Sequence, residues 1–266
     1  MISSEHKIHS VSRHKVIVFT DLDGTLLDHN TYSFSPAIPA LQILAARSIP
    51  VIPVTSKTLA ELRPLMAILG LTGSAIAENG AVIKRGDDSI DCAGSRSKLL
   101  SCLANLPLEI RSTMRCFCDM SAAEIVEKTG LDEMAAELAS SREATEPFLW
   151  NGDENGFAAL ARALSLSGFE LVQGGRFTHI IPPRDKAAAI EALVAQESPR
   201  PQIWALGDGP NDLSMLMAAD RGALIANTHI EMQIMLPEDH NLFISARSGP
   251  AGWRDAIDTF LDSYLE

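Results

Sequence analysis

Val16-Ile17-Val18-Phe19-Thr20-Asp21-Leu22-Asp23-Gly24-Thr25-Leu26-Leu27-Asp28 joins a β-branched and aromatic run to two carboxylates two residues apart. A short, continuous apolar run of this kind reads as a strand buried on both faces of a parallel sheet. In open α/β sheets, ligands bind in the crevice beyond the carboxyl ends of the strands. Asp21 and Asp23 fall at that end, and Gly24 permits the chain to turn away tightly. Two carboxylates in a half-buried crevice do not both ionise without a proton or a cation between them. An oxygen-ligated Mg²⁺ suits the position, because it takes one or two carboxylates and fills its shell with water and phosphate oxygens. A solvated acidic turn is the alternative for an isolated D-x-D, and the preceding strand argues against it.

Strand and helix patterns alternate outward from this run. Residues 36–47 carry Ile38, Leu41 and Leu44 at helical spacing, and 49–55 read as a second buried strand. A helix follows over 59–69 and stops at Gly70. Apolar residues 74–77 and 81–84 flank Glu78-Asn79-Gly80, an Asn-Gly hairpin signal. Towards the other end, 185–196 is an Ala-rich helix, 203–206 a strand, 212–219 a helix, 223–226 a strand, 243–244 a strand and 253–265 a closing helix. The alternation implies an α/β fold with a parallel sheet. Residues 89–174 read differently, with more helix and weaker strand signals at 115–118, 147–150 and 169–173. They are expected to form an inserted α+β domain, leaving a discontinuous core of 1–88 and 175–266.

The chain has 266 residues, enough for about two domains. Its 22 Lys and Arg against 34 Asp and Glu give a net charge of −12, which argues against general nucleic-acid binding. No apolar run reaches the length of a membrane span. The opening MISSEHKIHSVSRHK has no apolar core with a cleavage site, so a cytoplasmic setting is expected. The four cysteines, Cys92, Cys102, Cys116 and Cys118, are expected to be free thiols. Cys116 and Cys118 are expected to diverge if 114–118 is a strand.

Two further segments carry chemistry at strand ends. Thr55-Ser56-Lys57-Thr58 offers hydroxyls that could donate to a phosphate oxygen, although such residues also simply cap helices. Gly207-Asp208-Gly209-Pro210-Asn211-Asp212 places acidic residues and glycines after a buried strand. Lys186, at the start of the Ala-rich helix, could offset phosphate and carboxylate charge.

Taken together, these segments resemble the four motifs of the haloacid dehalogenase superfamily of phosphotransferases, in that family's order. D-L-D-G-T-L-L resembles the first motif, Thr55-Ser56 the second, Lys186 the third and G-D-G-P-N-D the fourth. The insertion resembles the C2-type cap of the sugar-phosphatase branch. The resemblance implies a Rossmann-like core, with Asp21 as the nucleophile that forms an aspartyl-phosphate and Asp23 as general acid/base. It implies Mg²⁺ held by Asp21, Asp23 through its backbone carbonyl, and Asp208, with Asp212 beside them. Thr55, Ser56, Lys186 and Asn211 are implied to hold phosphoryl oxygens.

Residues 141–148, with Arg142, Glu143 and Glu146, and residues 173–179, with Gly175, Arg176 and His179, are similar to segments of mannosyl-3-phosphoglycerate phosphatases. So are 55–58, 77–81 and 249–253. That resemblance implies a small phosphorylated sugar-glycerate substrate, with Arg142, Glu143, Glu146, Gly175 and Arg176 as contacts. Ordinary surface charge is the alternative for these five, and a packed or surface position for His179. Relatives acting on glucosyl-3-phosphoglycerate or other sugar phosphates share many of these features. A phosphomutase or a non-catalytic binding module are the remaining alternatives.

Overall fold

Residues 16–20 form strand β1 (Val16–Thr20), buried along its whole length. The computed structural model describes residues 15–86, 89–174, 176–228, 236–237 and 240–265. After β1 come α1 (Ile38–Ala46), β2 (Val51–Pro53) and α2 (Leu59–Leu69). Thr58 and Glu61 close the start of α2 with a reciprocal capping box. A hairpin of β3 (Ala75–Ala77) and β4 (Val82–Arg85) is extended antiparallel by β5 (Ser89–Cys92). Then follow α3 (Arg96–Ala104), the single turn α4 (Leu108–Arg111), β6 (Met114–Cys116), α5 (Ala122–Thr129) and α6 (Glu133–Ser140). Next are β7 (Glu146–Trp150), α7 (Glu154–Leu166), β8 (Glu170–Gln173) and β9 (Thr178–Ile181). The chain closes with α8 (Lys186–Val194), β10 (Gln202–Gly207), α9 (Leu213–Ala218), β11 (Arg221–Ala226), β12 (Phe243–Ser248) and α10 (Gly249–Leu265).

The core is a five-stranded sheet in the order β12-β11-β10-β1-β2, parallel throughout. Alternation along β1 sends Val16 and Val18 to one face, with residues of α1, α2 and α10, and Ile17 and Phe19 to the other, with α8 and α9. Both faces are therefore covered, as a parallel sheet requires. This is the expected α/β fold, a Rossmann-like core that carries a cap. The cap is the antiparallel sheet β6-β7-β9-β8. Leucines of α3 and α7 pack with Phe148 and Ile180 on one face, while α5 and α6 pack around Phe117 and Phe177. No helix among the described residues is long and apolar enough to cross a membrane.

Several local expectations change. Strand β2 is only three residues long: the Val54 N–H still donates to the Thr20 carbonyl of β1 at 2.7 Å, but Val54 also bridges to Ile76 and the regular pairing ends there. The hairpin exists, but its loop is wider than a two-residue Asn-Gly turn. Ala77 pairs with Val82, and Glu78, Asn79 and Gly80 all have positive φ. The pairings also cross the expected boundaries: β5 belongs with β3 and β4, and β9 is an inner strand of the cap sheet. Thr178–Ile181 is buried at every position, which suits an inner strand.

All four cysteines are free, but Cys116 and Cys118 do not diverge. Their sulfurs and the Asp119 carboxylate lie within 4.8 Å of one another. Residues two apart on a strand share a face, and here the strand ends at Cys116, so a 3₁₀ turn over 117–119 folds Cys118 back. The hydrogen bond with Cys118, and burial, push the Cys116 thiol well above its ordinary range.

Gly80 ties the hairpin to α8. Its φ is +102°, and a Cβ there would lie 2.3 Å from the Asp185 carbonyl oxygen. Gly70 also has positive φ but open space around it. Gly80→Ala is expected to cost more than about 2 kcal/mol in denaturant unfolding, against about 1 kcal/mol for Gly70→Ala. Equal losses would show that the close approach carries no energy.

Candidate active site

The carboxyl ends of β1 and β10 bring the acidic residues together. Asp21 directly follows β1, Asp208 directly follows β10, and Asp212 ends the 3₁₀ turn that opens α9. Each of the three offers an oxygen within 4.8 Å of the others, and all are buried. Lys186, the first residue of α8 and 1% exposed, donates to Asp21 Oδ1 at 2.7 Å and to Asp212 Oδ1 at 2.6 Å. Both oxygens of Asp208 and the second oxygen of Asp212 are held too. Asp208 accepts from Thr25 Oγ1 at 2.6 Å and from Asn227 Nδ2, and Asp212 Oδ2 accepts from the backbone N–H groups of Asp208 and Gly209. Behind Asp21, Trp253 Nε1 donates to Thr20 Oγ1, which donates to the Asp21 carbonyl.

Three carboxylates share one ammonium here, and the charge does not balance. Burial, opposed by Lys186, raises Asp21 well above the usual carboxylate range, with Asp212 and Asp208 adding to it. Burial and the charge of Asp212 push Asp208 up to about 7. Lys186 moves the other way: burial alone would lower it, yet Asp21 and Asp212 carry it above its ordinary value. A site of hard oxygen donors that resists full ionisation fits a divalent oxygen-loving cation, which would remove the excess negative charge.

Asp23 stands beside this cluster rather than within it. Its Oδ2 is 2.7 Å from Lys57 Nζ, which also lies 5.4 Å from the Tyr32 ring centre. Its Oδ1 is buried with no hydrogen-bond partner among the described residues. Thr55 is buried two residues beyond β2, and its Oγ1 accepts from the Lys57 N–H at 3.3 Å. Ser56 presents its carbonyl to the cap, accepting from Arg142 Nη2 at 2.8 Å. Asn211 reaches across to the hairpin, donating to Asn79 Oδ1 at 3.2 Å.

The cap residues expected to touch substrate are mostly engaged elsewhere. Arg142 is buried and bonds Thr145 Oγ1 and the carbonyls of Ala139 and Ser56. Glu146 is fully buried, pairs with Arg96 and accepts from the Cys118 N–H. Glu143 offers its backbone N–H to Glu78 Oε1 at 2.7 Å and its side chain to the Cys92 thiol. Arg176 is exposed and donates to the Lys128 carbonyl. Gly175 lies outside the described residues.

Glu78 organises this junction and was not singled out as a site residue in the sequence. It is fully buried and accepts from the backbone N–H groups of Glu143, Ala144 and Thr145 and from Thr145 Oγ1. A second link is Thr58 Oγ1, which donates to the Leu138 carbonyl of α6. Lys57, Asn79, Thr25 and Asn227 were likewise missed. The one available signal was a charged residue at the apex of an otherwise apolar hairpin.

The strand ends of the parallel sheet thus gather Asp21, Asp208, Asp212 and Lys186 in the crevice where open α/β sheets bind their ligands. A family model described as haloacid dehalogenase-like hydrolase matches residues 18–109 and 172–236, more than half of the chain. The chain belongs to the haloacid dehalogenase-like hydrolases. Its fold is similar to a Thermoplasma acidophilum structure at 19% identity and a TM-score of 0.66, covering 95% of this chain and 99% of that one. It is also similar to a subclass IIB sugar phosphatase (18% identity, 92% and 98% covered, TM-score 0.65). A third is the sucrose-phosphatase of Synechocystis in complex with sucrose and phosphate (14% identity, 93% and 98% covered, TM-score 0.64).

Glu78→Gln replaces an acceptor oxygen with an NH₂ that faces N–H donors. It is expected to destabilise the protein by about 2–4 kcal/mol in denaturant unfolding. A loss below about 0.5 kcal/mol would show that the junction does not depend on the carboxylate.

Proposed function

We propose that the protein is a Mg²⁺-dependent phosphatase that hydrolyses mannosyl-3-phosphoglycerate to mannosylglycerate and phosphate in the cytoplasm. The observation that carries the phosphatase reading is the buried Lys186 bridging Asp21 and Asp212, with Asp208 alongside, at the strand ends. Support for the particular sugar comes from the similarity of segments 55–58, 77–81, 141–148, 173–179 and 249–253 to mannosyl-3-phosphoglycerate phosphatases. The four free thiols support the cytoplasmic setting.

In this reading an Asp21 carboxylate oxygen attacks phosphorus, and the ester P–O bond breaks as Asp23 gives its proton to the leaving oxygen. Asp23, now a carboxylate held by Lys57, takes a proton from water as the water oxygen attacks the aspartyl-phosphate. Phosphate departs, and both carboxylates return to their starting states. Lys186 holds Asp21 in line and offsets charge on the phosphoryl oxygens, with Thr55, Ser56 and Asn211 as further donors. Asp21, Asp208, Asp212 and the Asp23 backbone carbonyl would hold Mg²⁺, which supplies charge neutralisation at the phosphoryl group. Arg142 and Glu143 contribute by seating the cap over this crevice, Glu146 by bracing the cap from within through Arg96 and the Cys118 N–H, and Arg176 and Gly175 are assigned to substrate by the segment similarity alone.

Three measurements test this. Phosphate release should be faster from mannosyl-3-phosphoglycerate than from its glucosyl analogue or a panel of sugar phosphates. A flat profile would replace this reading with a broad sugar phosphatase. Asp21→Asn should abolish turnover, and Asp23→Asn should slow it about 10²–10⁴-fold; parent rates in either would remove its assigned role. Because Asp21 and Asp208 are raised in the metal-free protein, a proton occupies the cluster near neutral pH and Mg²⁺ must displace it. Mg²⁺ affinity should therefore fall as pH drops from 8 to 6, with proton release visible by calorimetry in buffers of differing ionisation enthalpy. Proton-independent binding would place the ion elsewhere.

A further inference from the structure

Four buried side-chain polar atoms have no hydrogen-bond partner among the described residues: Asp23 Oδ1, Asn79 Nδ2, His179 Nδ1 and Trp204 Nε1. Buried polar atoms are nearly always paired, so exceptions call for an explanation. Trp204 sits deep in the aromatic core with Phe260 and Tyr264. Asp23 and Asn79 belong to the strand-end site. His179 alone comes from the cap.

His179 is the second residue of β9. Its neighbour Ile180 points into the cap's apolar core with Phe148, Leu160 and Leu164. Successive strand residues face opposite sides, so the imidazole points to the other face. Strand β8, which pairs Val172 with His179, packs beside the 210–212 turn that carries Asn211 and Asp212. The charges of Arg142 and Lys186 both act on the ring, and Lys186 is the residue bonded to Asp21. Gly174 leaves the ring its space, since a Cβ there would come 3.0 Å from His179 Nε2.

Burial, and then the two cations, push His179 down to about 3, so the imidazole is neutral at any working pH. A neutral imidazole has one donor and one acceptor nitrogen. A hydroxyl can donate or accept, and so satisfies Nδ1 in either tautomer. In the phosphatase reading, the alcohol of a phosphate ester held at Asp21 would lie between the strand ends and the cap.

We propose that His179 is a specificity-determining residue whose Nδ1 hydrogen-bonds a hydroxyl of the sugar esterified to the phosphate. The proposal rests on the phosphatase reading above and adds the group that reads the alcohol.

The test compares His179→Leu, which removes the polar atom, with His179→Asn, which keeps one near the Nδ1 position. The readout is kcat/KM for sugar phosphates divided by that for p-nitrophenyl phosphate, whose alcohol has no hydroxyl besides the ester oxygen. His179→Leu is expected to lower this ratio about tenfold, mainly through KM, the worth of one hydrogen bond. His179→Asn is expected to restore part of it. An unchanged ratio, or an equal loss on both substrate types, overturns the proposal while leaving the phosphatase reading in place. Should the unaltered protein hydrolyse no phosphate ester with Mg²⁺, the phosphatase reading fails by itself. Thermal protection by the same sugar phosphates then decides for His179: protection lost in His179→Leu supports it, and protection retained sinks it.

Discussion

Everything at the strand ends depends on one constraint: three carboxylates are buried around a single ammonium. Lys186 has almost no exposure, and neither of the two aspartates it bonds can be neutralised by solvent. An ionised group buried without compensation is far more costly than any single packing contact. The arrangement persists because each charge has a dense set of partners: Thr25 and Asn227 on Asp208, two backbone N–H groups on Asp212, and Lys186 on Asp21 and Asp212. Even so, Asp21 and Asp208 are held away from full ionisation. The same imbalance that strains the resting site makes it receptive to a divalent cation and a phosphoryl group arriving together.

Sequence patterns made the core legible because its signals are local. Val16–Thr20 is apolar at every position but its last and lies directly ahead of its functional residues, so strand and site are read from one segment. The glycine-rich turn after β10 works the same way. Strand ends lead straight into the crevice, which is why Asp21, Asp208 and Asp212 are readable from their own segments, whereas Lys186, at a helix start, stands out only beside the other motifs. Boundaries were less legible. Residues 178–181 are as buried as a core strand, and nothing within four residues says which sheet they complete. Only the partners, β7 and β8, decide that. The Cys116–Cys118 expectation assumed a strand over 114–118; residues two apart on a strand would share a face in any case, and here the strand ends at Cys116 and a 3₁₀ turn brings Cys118 back beside it.

The cap residues show the limit of reading charge as recognition. Arg142 and Glu146 look like ligands for an anionic, hydroxylated substrate when seen as letters. Folded, both are buried and saturated by neighbours of the chain itself. Glu78 explains why. A hairpin apex with positive φ at Glu78 and Asn79 aims one carboxylate into three successive backbone N–H groups of the 143–145 loop. That loop is thereby fixed to the core, and Arg142 bonds Ser56 from the same loop. The two sides of the junction are far apart in sequence, 65 residues between Glu78 and Glu143 and 86 between Ser56 and Arg142, and no composition signal links them.

The junction also bears on how the cap can act. Ser56 and Thr58, which bond the cap, follow β2 one to three positions from Thr55 and Lys57 on one backbone. Glu78 joins this stretch from the hairpin, its N–H donating to the Lys57 carbonyl at 2.9 Å. A displacement of the cap that broke the Arg142–Ser56 bond would pull on Thr55 and Lys57 within a residue of it, and through Lys57 on Asp23. Cap seating and the placement of the proposed acid are mechanically coupled by this short segment, without any contact between the cap and Asp23 being needed.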